Sequence, residues 1–222
     1  MFPDAPSLDL PAPADIADVA DVLARLDPRL APVIAAAGPP DLGESTDETA
    51  TALVRSVVYQ QLSGRAAATI HGRVLAAFGD GATPDLPALA AATDDALRAC
   101  GLSRAKALAV RDVAERALDG RLPGRAALTR LSDAEIETAL VAVRGVGPWT
   151  AQMVMMFTLG RPDVWPVADL GVQEGYRLVS GADVRPTPAA LAAEGERYRP
   201  FRSAAAWYLW RAVDQHRERA AA

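Results

Sequence analysis

Residues 140–172 read LVAVRGVGPWTAQMVMMFTLGRPDVWPVADLGV, and this stretch decides both the fold and the chemistry that the sequence predicts. The turn Gly145-Val146-Gly147 separates two segments whose apolar residues have helical spacing. Glycine adopts positive φ at no steric cost and allows another backbone to come close. A helix that begins at Pro148 presents unpaired N–H groups and a positive dipole end. The turn could therefore hold a phosphate through its backbone, although the two glycines could also be turn formers only.

The rest of the sequence is also predicted to be helical. Apolar residues recur at helical spacing, and no segment alternates apolar and polar residues as strands do. Helices are expected at about 14–26, 28–37, 48–62, 64–78, 86–92, 94–100, 103–118, 133–141, 148–158, 169–179, 189–198 and 203–217. The buried face of the helix at 48–62 is expected to contain Val54, Val57, Val58 and Leu62. Ser132 and Glu135 have the spacing of a capping box. Gly171 and Gly175 share one helix face, which would let that face approach a neighbour closely.

The length and amino-acid composition of the chain limit the kinds of fold and site that it can form. The 222 residues suffice for one large domain or two small lobes. A single cysteine, Cys100, rules out an internal disulfide and a four-thiolate iron–sulfur cluster within this sequence. The two histidines, His71 and His216, lie far apart and argue against a zinc site. No apolar run is long enough to span a bilayer, and the N-terminus has no basic export-signal region, so we expect a cytoplasmic protein without a membrane partner.

Charge is distributed unevenly along the chain. The net charge of −5 argues against a protein that coats DNA through charge alone, because Lys and Arg supply most non-specific affinity for phosphate. Arginines nevertheless concentrate in the motif-bearing segments, whereas acidic residues crowd the N-terminal third. We therefore expect a surface with two faces of opposite charge.

The motif Val143-Arg144-Gly145-Val146-Gly147-Pro148-Trp149-Thr150-Ala151 resembles the hairpin of the helix-hairpin-helix DNA glycosylases. Asp169, twenty residues after Trp149, falls where that family has its catalytic aspartate. Within the superfamily the chain resembles the 3-methyladenine DNA glycosylase II branch, which repairs alkylated DNA, over residues 47–216. The amino-acid sequences of residues 101–107 and 199–210 also resemble segments of that family.

The resemblance implies an all-α fold of two helical lobes with the active-site cleft between them and without an N-terminal β domain. Residues 1–45 are expected to pack with the C-terminal lobe. Residues 46–165 would form the central lobe, which carries the helix-hairpin-helix at about 133–158. Residues 166–222 would complete the second lobe.

Asp169 is the expected catalytic residue. An aspartate that begins a helix is most often only an N-cap, but the resemblance assigns it the task of stabilising positive charge on the sugar. Glycoside cleavage usually employs two carboxyl groups, one of them a general acid. Only one candidate acid can be identified here, and a cationic methylated purine is already a good leaving group. A single carboxylate could then stabilise the sugar cation and orient the attacking water.

The base pocket is expected to contain Trp149 and Trp210, with Met153 and Tyr59 as further candidates. An indole face attracts a cationic alkylated base by roughly 0.5–2 kcal/mol. Buried tryptophans are usually core residues, and Tyr59 could equally be a core aromatic residue. Met153 lies four residues after Trp149 and would share its helix face.

The same resemblance assigns contacts with double-stranded DNA to Gln61, Ser63, Arg144, Gly145, Gly147, Thr150 and Arg202. Gln61 matches the wedge that fills the gap left by the flipped nucleotide, a position where the alkylation enzyme has leucine. Gln60 and Gln61 could instead form a solvated helix end. No organic cofactor is expected, but the backbone carbonyls of Val141, Val143 and Gly145 are expected to share a monovalent cation that bridges to DNA.

Together, these expectations predict a monofunctional DNA glycosylase, which leaves an abasic site without cutting the strand. The bifunctional members of the superfamily have a Schiff-base lysine directly before the position of Thr150, where this chain has Trp149. The predicted activity is hydrolytic removal of alkylated purines in base excision repair by a nucleoid-associated protein, with a monomer as the default. The alternatives are a glycosylase for hypoxanthine, ethenoadenine or uracil, and a non-catalytic module that binds damaged DNA.

Overall fold

The computed structural model describes residues 16–42, 45 and 47–221, and these residues form helices, turns and loops without a β-strand. The α-helices are α1 (Ile16–Leu26), α2 (Ala31–Ala37), α3 (Thr49–Tyr59), α4 (Gly64–Ala77), α5 (Leu86–Ala91), α6 (Asp94–Ala99), α7 (Arg104–Leu118), α8 (Arg125–Leu128), α9 (Asp133–Val141), α10 (Pro148–Phe157), α11 (Leu170–Ser180), α12 (Pro188–Gly195) and α13 (Arg202–Ala221). Two 3₁₀ turns span Pro28–Leu30 and Glu196–Tyr198. The all-α prediction is confirmed.

The described chain divides into two compact units. The terminal unit contains residues 16–41 and 167–221, and the central unit contains the described residues of 42–166. The predicted start of the first helix at residue 14, and the first acidic residues of the N-terminal third, lie outside the described residues. None of the described helices combines the length and the apolar character that a bilayer span requires.

In the central unit, helix α3 packs against three other helices of the core. These are α4, α7 and α10. Its residues Leu53, Val54, Val57 and Val58 are fully buried, which confirms the predicted valine face. Leu62, by contrast, is 40% exposed, because α3 ends at Tyr59 and the following residues leave the helix axis. The prediction of a buried Leu62 was therefore wrong.

The capping box at the start of α9 is present as predicted. The Ser132 hydroxyl accepts a hydrogen bond from the Glu135 amide, and the Glu135 carboxylate accepts one from the Ser132 amide at 2.8 Å. This reciprocal cap fixes the first residue of the hairpin helix pair. Helices α9 and α10 then pack against each other on either side of the glycine turn.

In the terminal unit, α11 and α13 form the main helix pair, and α1 and α2 pack on α13. The buried side chains include Leu23 and Leu30 from the N-terminal segment together with Tyr198, Tyr208 and Leu209 from the C-terminal segment. One core therefore joins chain segments that are more than a hundred residues apart.

Candidate active site

In the terminal unit, the Asp169 carboxylate is held by one helix and one indole. It is the N-cap of α11, and its Oδ1 accepts a hydrogen bond from the Val172 amide at 2.8 Å. The same oxygen accepts a hydrogen bond from Nε1 of Trp210 on α13 at 2.9 Å. Both side chains are half-buried. Asp169 is therefore an N-cap, which was the alternative to a catalytic role in the sequence prediction. In this position its carboxylate also contacts Trp210, one of the two predicted pocket tryptophans.

Two glycines on α11 make room for this arrangement. A Cβ on Gly171 would lie 2.7 Å from Cδ1 of Trp210 and 3.0 Å from Oδ1 of Asp169. A Cβ on Gly175 would lie 2.1 Å from the backbone oxygen of Leu209. The close approach predicted from the four-residue spacing of these glycines is confirmed, and its partner is α13.

A buried amide fixes the segment before the catalytic candidate. Gln173 is 8% exposed, and its side-chain amide donates a hydrogen bond to the backbone oxygen of Val167 at 2.8 Å. This bond ties the first turn of α11 to the chain that leads into Asp169. No local sequence pattern indicates this role of Gln173, because a glutamine in a helix is usually exposed.

In the central unit, the hairpin turn joins α9 to α10 as predicted. Gly145 has φ of +75°, a conformation that favours glycine, and its Cβ would lie 3.1 Å from the Ala109 side chain. Gly147 is the N-cap of α10 with an extended φ of −97°, and a Cβ there would meet no atom within 4 Å. The backbone amide of Arg144 donates to the Asp112 carboxylate at 2.7 Å, which anchors the turn on α7.

Gln60, for which a solvated helix end was one of two predictions, connects this hairpin to the loop after α3. The Gln60 side-chain amide donates to the backbone oxygen of Gly145 at 3.0 Å and to Oγ1 of Thr150 at 3.1 Å. The solvated alternative for Gln60 was therefore wrong. Its partner lies 85 residues away, and no local pattern reveals such a pair.

The predicted DNA contacts of the central unit differ in exposure. Gln61 and Ser63 are exposed in the loop between α3 and α4, and Ser63 is an N-cap whose hydroxyl makes no capping hydrogen bond. The Arg144 side chain and Gly145 are exposed at the hairpin. Thr150 is only 4% exposed, since its hydroxyl faces Gln60 inside the unit.

Arg202 occupies a different setting in the terminal unit. Its side chain is 14% exposed, and its guanidinium lies 3.4 Å from the Glu196 carboxylate. Glu196 also pairs with Arg199, and the pKa of its carboxyl group is lowered by these arginines. The structure thus places Arg202 in an ion-pair network at the start of α13.

The remaining pocket candidates lie on α3 and α10. Trp149 is 44% exposed, and Met153, one turn later, is half-buried. Tyr59 is half-buried and packs edge-to-face on His71, with ring centroids 6.0 Å apart, while the Arg55 guanidinium lies over its ring. Burial lowers the pKa of His71, and the positive charge of Arg55 lowers it further, so this histidine favours its neutral form.

Of the three carbonyls expected to bind a cation, that of Val141 lies at the end of α9, and those of Val143 and Gly145 follow between α9 and α10. Val143 is buried, and its oxygen accepts a hydrogen bond from the Val146 amide, while the oxygen of Gly145 accepts one from Gln60. A carbonyl oxygen has two lone pairs, so each can accept a second interaction. Oxygen ligands of this kind suit a hard cation. Among the described residues, no group of three His, Cys, Asp or Glu side chains could hold a metal ion.

Comparison with known proteins agrees with this geometry. The family model described as the HhH-GPD superfamily base excision DNA repair protein matches residues 54–200. DNA-3-methyladenine glycosylase 1 of Schizosaccharomyces pombe is 35% identical over 159 residues, which cover 72% of this chain and 70% of the relative.

Two solved structures have the same fold. The S. pombe 3-methyladenine DNA glycosylase in complex with abasic DNA has a TM-score of 0.80 and 32% identity, over 87% of this chain and 95% of that chain. A DNA-3-methyladenine glycosidase from Bacillus halodurans has a TM-score of 0.79 and 34% identity, over 90% of this chain and 91% of that chain. The chain therefore belongs to the HhH-GPD superfamily of base excision DNA repair proteins, in its 3-methyladenine DNA glycosylase branch, as the hairpin and the spaced aspartate predicted.

Proposed function

We propose that the protein is a DNA glycosylase that hydrolytically removes alkylated purines, of the 3-methyladenine and 7-methylguanine type, from double-stranded DNA. The observation that carries this proposal is the Asp169 carboxylate, held on one oxygen by the Val172 amide and by Nε1 of Trp210. The relatives named as 3-methyladenine glycosylases support the choice of substrate class.

Asp169 is proposed to act on the sugar rather than on the base. An enzyme of this class must first take the nucleotide out of the stack. Cleavage of the base–sugar bond then develops positive charge on the sugar, and a fixed carboxylate lowers the energy of that state. The two hydrogen bonds on Oδ1 fix the orientation of the carboxylate before the substrate arrives. An alkylated purine leaves as a neutral base, so no second acid is required to protonate it.

Trp210 supplies a polar edge to Asp169, and we assign its indole face to the cationic base. Trp149, Met153 and Tyr59 of the central unit stay predicted contacts of the base. A cation over an indole is favoured by roughly 0.5–2 kcal/mol, so an indole face would select positively charged purines over normal ones.

We propose that the hairpin around residues 144–150 binds a phosphate of the DNA backbone, and we call it the phosphate grip. Gly147 has a φ that any residue can adopt, and its Cβ would meet no protein atom. The protein itself therefore does not require glycine there, whereas a phosphate lying close to the backbone would. Amide groups at the start of α10, including that of Thr150, and the exposed Arg144 would complete the grip, with the cation at Val141, Val143 and Gly145 as a bridge.

We further infer that the enzyme is monofunctional and leaves the strand uncut. A lyase reaction needs an amine that can form a Schiff base with the sugar. Trp149 occupies the position where the bifunctional enzymes have lysine. The chain has one lysine, Lys106, and its ammonium donates to the backbone oxygens of Val58 and Gln60 at 2.8 and 2.7 Å. We expect strand breaks at the abasic site only after treatment with alkali.

A panel of lesion-bearing duplexes tests the proposed function. Free base should be released from 7-methylguanine DNA, and measuring hypoxanthine, ethenoadenine and uracil duplexes in parallel determines the lesion range. The proposal is wrong if the protein binds these duplexes but releases no base from any of them.

The substitution Asp169→Asn separates catalysis from folding. Asparagine is as good an N-cap as aspartate and can still accept both hydrogen bonds, whereas the charge is lost. We expect the single-turnover rate of base release to fall on the order of 10²–10³-fold, the effect of losing one charge-stabilising group. Asp85→Asn is the matched control, because Asp85 is the N-cap of α5 and accepts from the Ala88 amide at 3.1 Å. Equal activity of the two variants would remove Asp169 from the mechanism.

A further inference from the structure

Lys106 on α7 holds the end of helix α3. Its ammonium donates to the backbone oxygens of Val58, in the last turn of that helix, and of Gln60, its C-cap. The last carbonyls of a helix have no partner further along it. Lys106 is half-buried, and burial lowers the pKa of its amine. A cation at a helix C-terminus also interacts favourably with the helix dipole.

The choice of lysine and not arginine at position 106 fits its role at the end of α3. The sequence contains 22 arginines and one lysine, and the lysine is the residue that caps α3. An ammonium is a compact charge whose three donors can turn toward two carbonyls that lie close together. A guanidinium is larger and planar, with donors in a fixed fork that matches carboxylates and phosphates. A site that must satisfy adjacent carbonyls in a confined space therefore suits lysine.

Gln60 links the same loop to the hairpin. Its backbone oxygen accepts from Lys106, while its side-chain amide donates to Gly145 and Thr150. The next residue, Gln61, has φ of +55°, and it is the one non-glycine with positive φ among the described residues. Such a conformation is costly and persists only where the surrounding structure enforces it. Lys106 and Gln60 supply that enforcement directly before Gln61.

We propose that Lys106 and Gln60 are positioning residues that hold the loop of residues 60–63 against the hairpin. The wedge at Gln61 and the phosphate grip then keep a fixed position relative to each other when they bind the duplex. This inference rests on the proposed glycosylase function. Neither residue touches the reacting bond. Their contribution lies in the flipping step, in which the duplex must be unstacked and unpaired at the lesion.

The physical reason is preorganisation. Extrusion of a paired nucleotide costs free energy, and that cost is smallest for a base that is already unpaired. A loop held in its inserting conformation offsets this cost without first having to order itself. If the loop is released, excision of a paired lesion should slow, whereas excision of an unpaired lesion should be affected much less.

The test compares two DNA substrates for each variant. One is a duplex with 7-methylguanine paired to cytosine, and the other places 7-methylguanine in an unpaired bulge of the same sequence. Lys106→Met keeps most of the side-chain stem but removes the donors, and Gln60→Glu keeps the length but removes the amide that donates to Gly145. Arg104→Met, an exposed cation on the same helix, is the matched control.

Single-turnover excision rates and thermal unfolding are measured for every variant. For Lys106→Met and Gln60→Glu, we expect the ratio of the paired rate to the unpaired rate to fall by roughly tenfold or more, the effect of losing a hydrogen bond to a charged or buried partner. Arg104→Met should keep the wild-type ratio. The unpaired substrate reports whether a variant is still folded and chemically competent.

Two outcomes would overturn the inference while leaving the glycosylase function intact. Rates that fall equally on both substrates would mean that the two residues only stabilise the fold, and unchanged ratios would mean that the loop does not depend on them. If the wild-type protein released no base from either substrate, the proposed function itself would fail, and that result is distinct from both.

Discussion

At the scale of single residues, the site depends on one carboxylate oxygen that serves two donors. Oδ1 of Asp169 accepts from the Val172 amide, which begins α11, and from Nε1 of Trp210, which belongs to α13. Gly171 permits the second bond, because any side chain there would occupy the position of the indole. A residue without a side chain thus determines the orientation of the catalytic candidate.

The substitution Gly171→Ala tests this dependence. Its methyl group would lie 2.7 Å from Cδ1 of Trp210, so the indole must move and its hydrogen bond to Asp169 should be lost. A hydrogen bond to a charged group is worth about 1.5–3 kcal/mol, so we expect base release to slow by about 10–100-fold. Single-turnover kinetics on 7-methylguanine DNA provide the measurement.

Trp210→Phe provides the companion variant, since phenylalanine keeps the aromatic ring but cannot donate to Asp169. If both substitutions act through the same hydrogen bond, the double variant should be no slower than the slower single variant. Additive losses would show that Gly171 affects the site by another route.

At the scale of secondary-structure elements, the contact between α11 and α13 sets the geometry of the terminal unit. Gly175 lies against the backbone oxygen of Leu209, the residue directly before Trp210. Gly175→Ala would place a methyl group 2.1 Å from that oxygen, and backbone cannot rotate away as a side chain can. We expect the free energy of unfolding to fall by at least about 1–3 kcal/mol, the usual cost of overpacking, as measured by urea denaturation.

Gly72→Ala is the matched control for this prediction. Gly72 lies within α4, and its Cβ would meet no atom within 4 Å. Alanine favours helices over glycine by roughly 0.5–1 kcal/mol, so this variant should be slightly more stable than the wild type. A Gly175→Ala protein as stable as Gly72→Ala would contradict the close packing of the two helices.

At the scale of the whole molecule, buried hydrogen bonds join the N-terminal segment to the C-terminal segment within the terminal unit. Asp27 is 2% exposed, pairs with Arg29, and accepts a hydrogen bond from the Tyr198 hydroxyl at 2.6 Å. Tyr208 donates to the backbone oxygen of Gly38 at 3.0 Å. These tyrosines fasten the two segments to each other, one through a charged acceptor and the other through a neutral acceptor.

The charged acceptor makes part of the stability depend on pH. Burial raises the pKa of Asp27, but hydrogen bonds from Arg29 and Tyr198 lower it by more, so the folded pKa lies below the ordinary value. The resulting stabilisation is fully present above the unfolded pKa of about 3.9 and is lost as pH falls through the folded pKa. We expect Tyr198→Phe to cost about 1.5–3 kcal/mol near neutral pH and progressively less below about pH 4.

Tyr208→Phe is the control in the same unit. Its acceptor, a backbone oxygen, does not titrate, so the loss of stability should be the same at every acidic pH. Urea midpoints for the wild type and both variants between about pH 3 and 7 provide the comparison. If the penalty of Tyr198→Phe did not change with pH, the bond to ionised Asp27 would not be the source of the stabilisation.

The sequence by itself determined the features whose cause is local. Helical spacing predicted the helices, the Ser132 and Glu135 pair predicted the start of α9, and Gly145 predicted the turn, since capping and positive φ depend on a few neighbouring residues. The N-cap position of Asp169 was also visible.

Only the tertiary structure decided the interactions between residues far apart in the chain. Helix α3 ends at Tyr59, three residues before its apolar pattern does, and at that end Lys106 donates to the backbone oxygens of Val58 and Gln60. Thr150 is buried and Gln60 is engaged because each is the other's partner across 90 residues. A hydrogen bond of this kind requires a donor and an acceptor of common residue types, and only folding brings the two together.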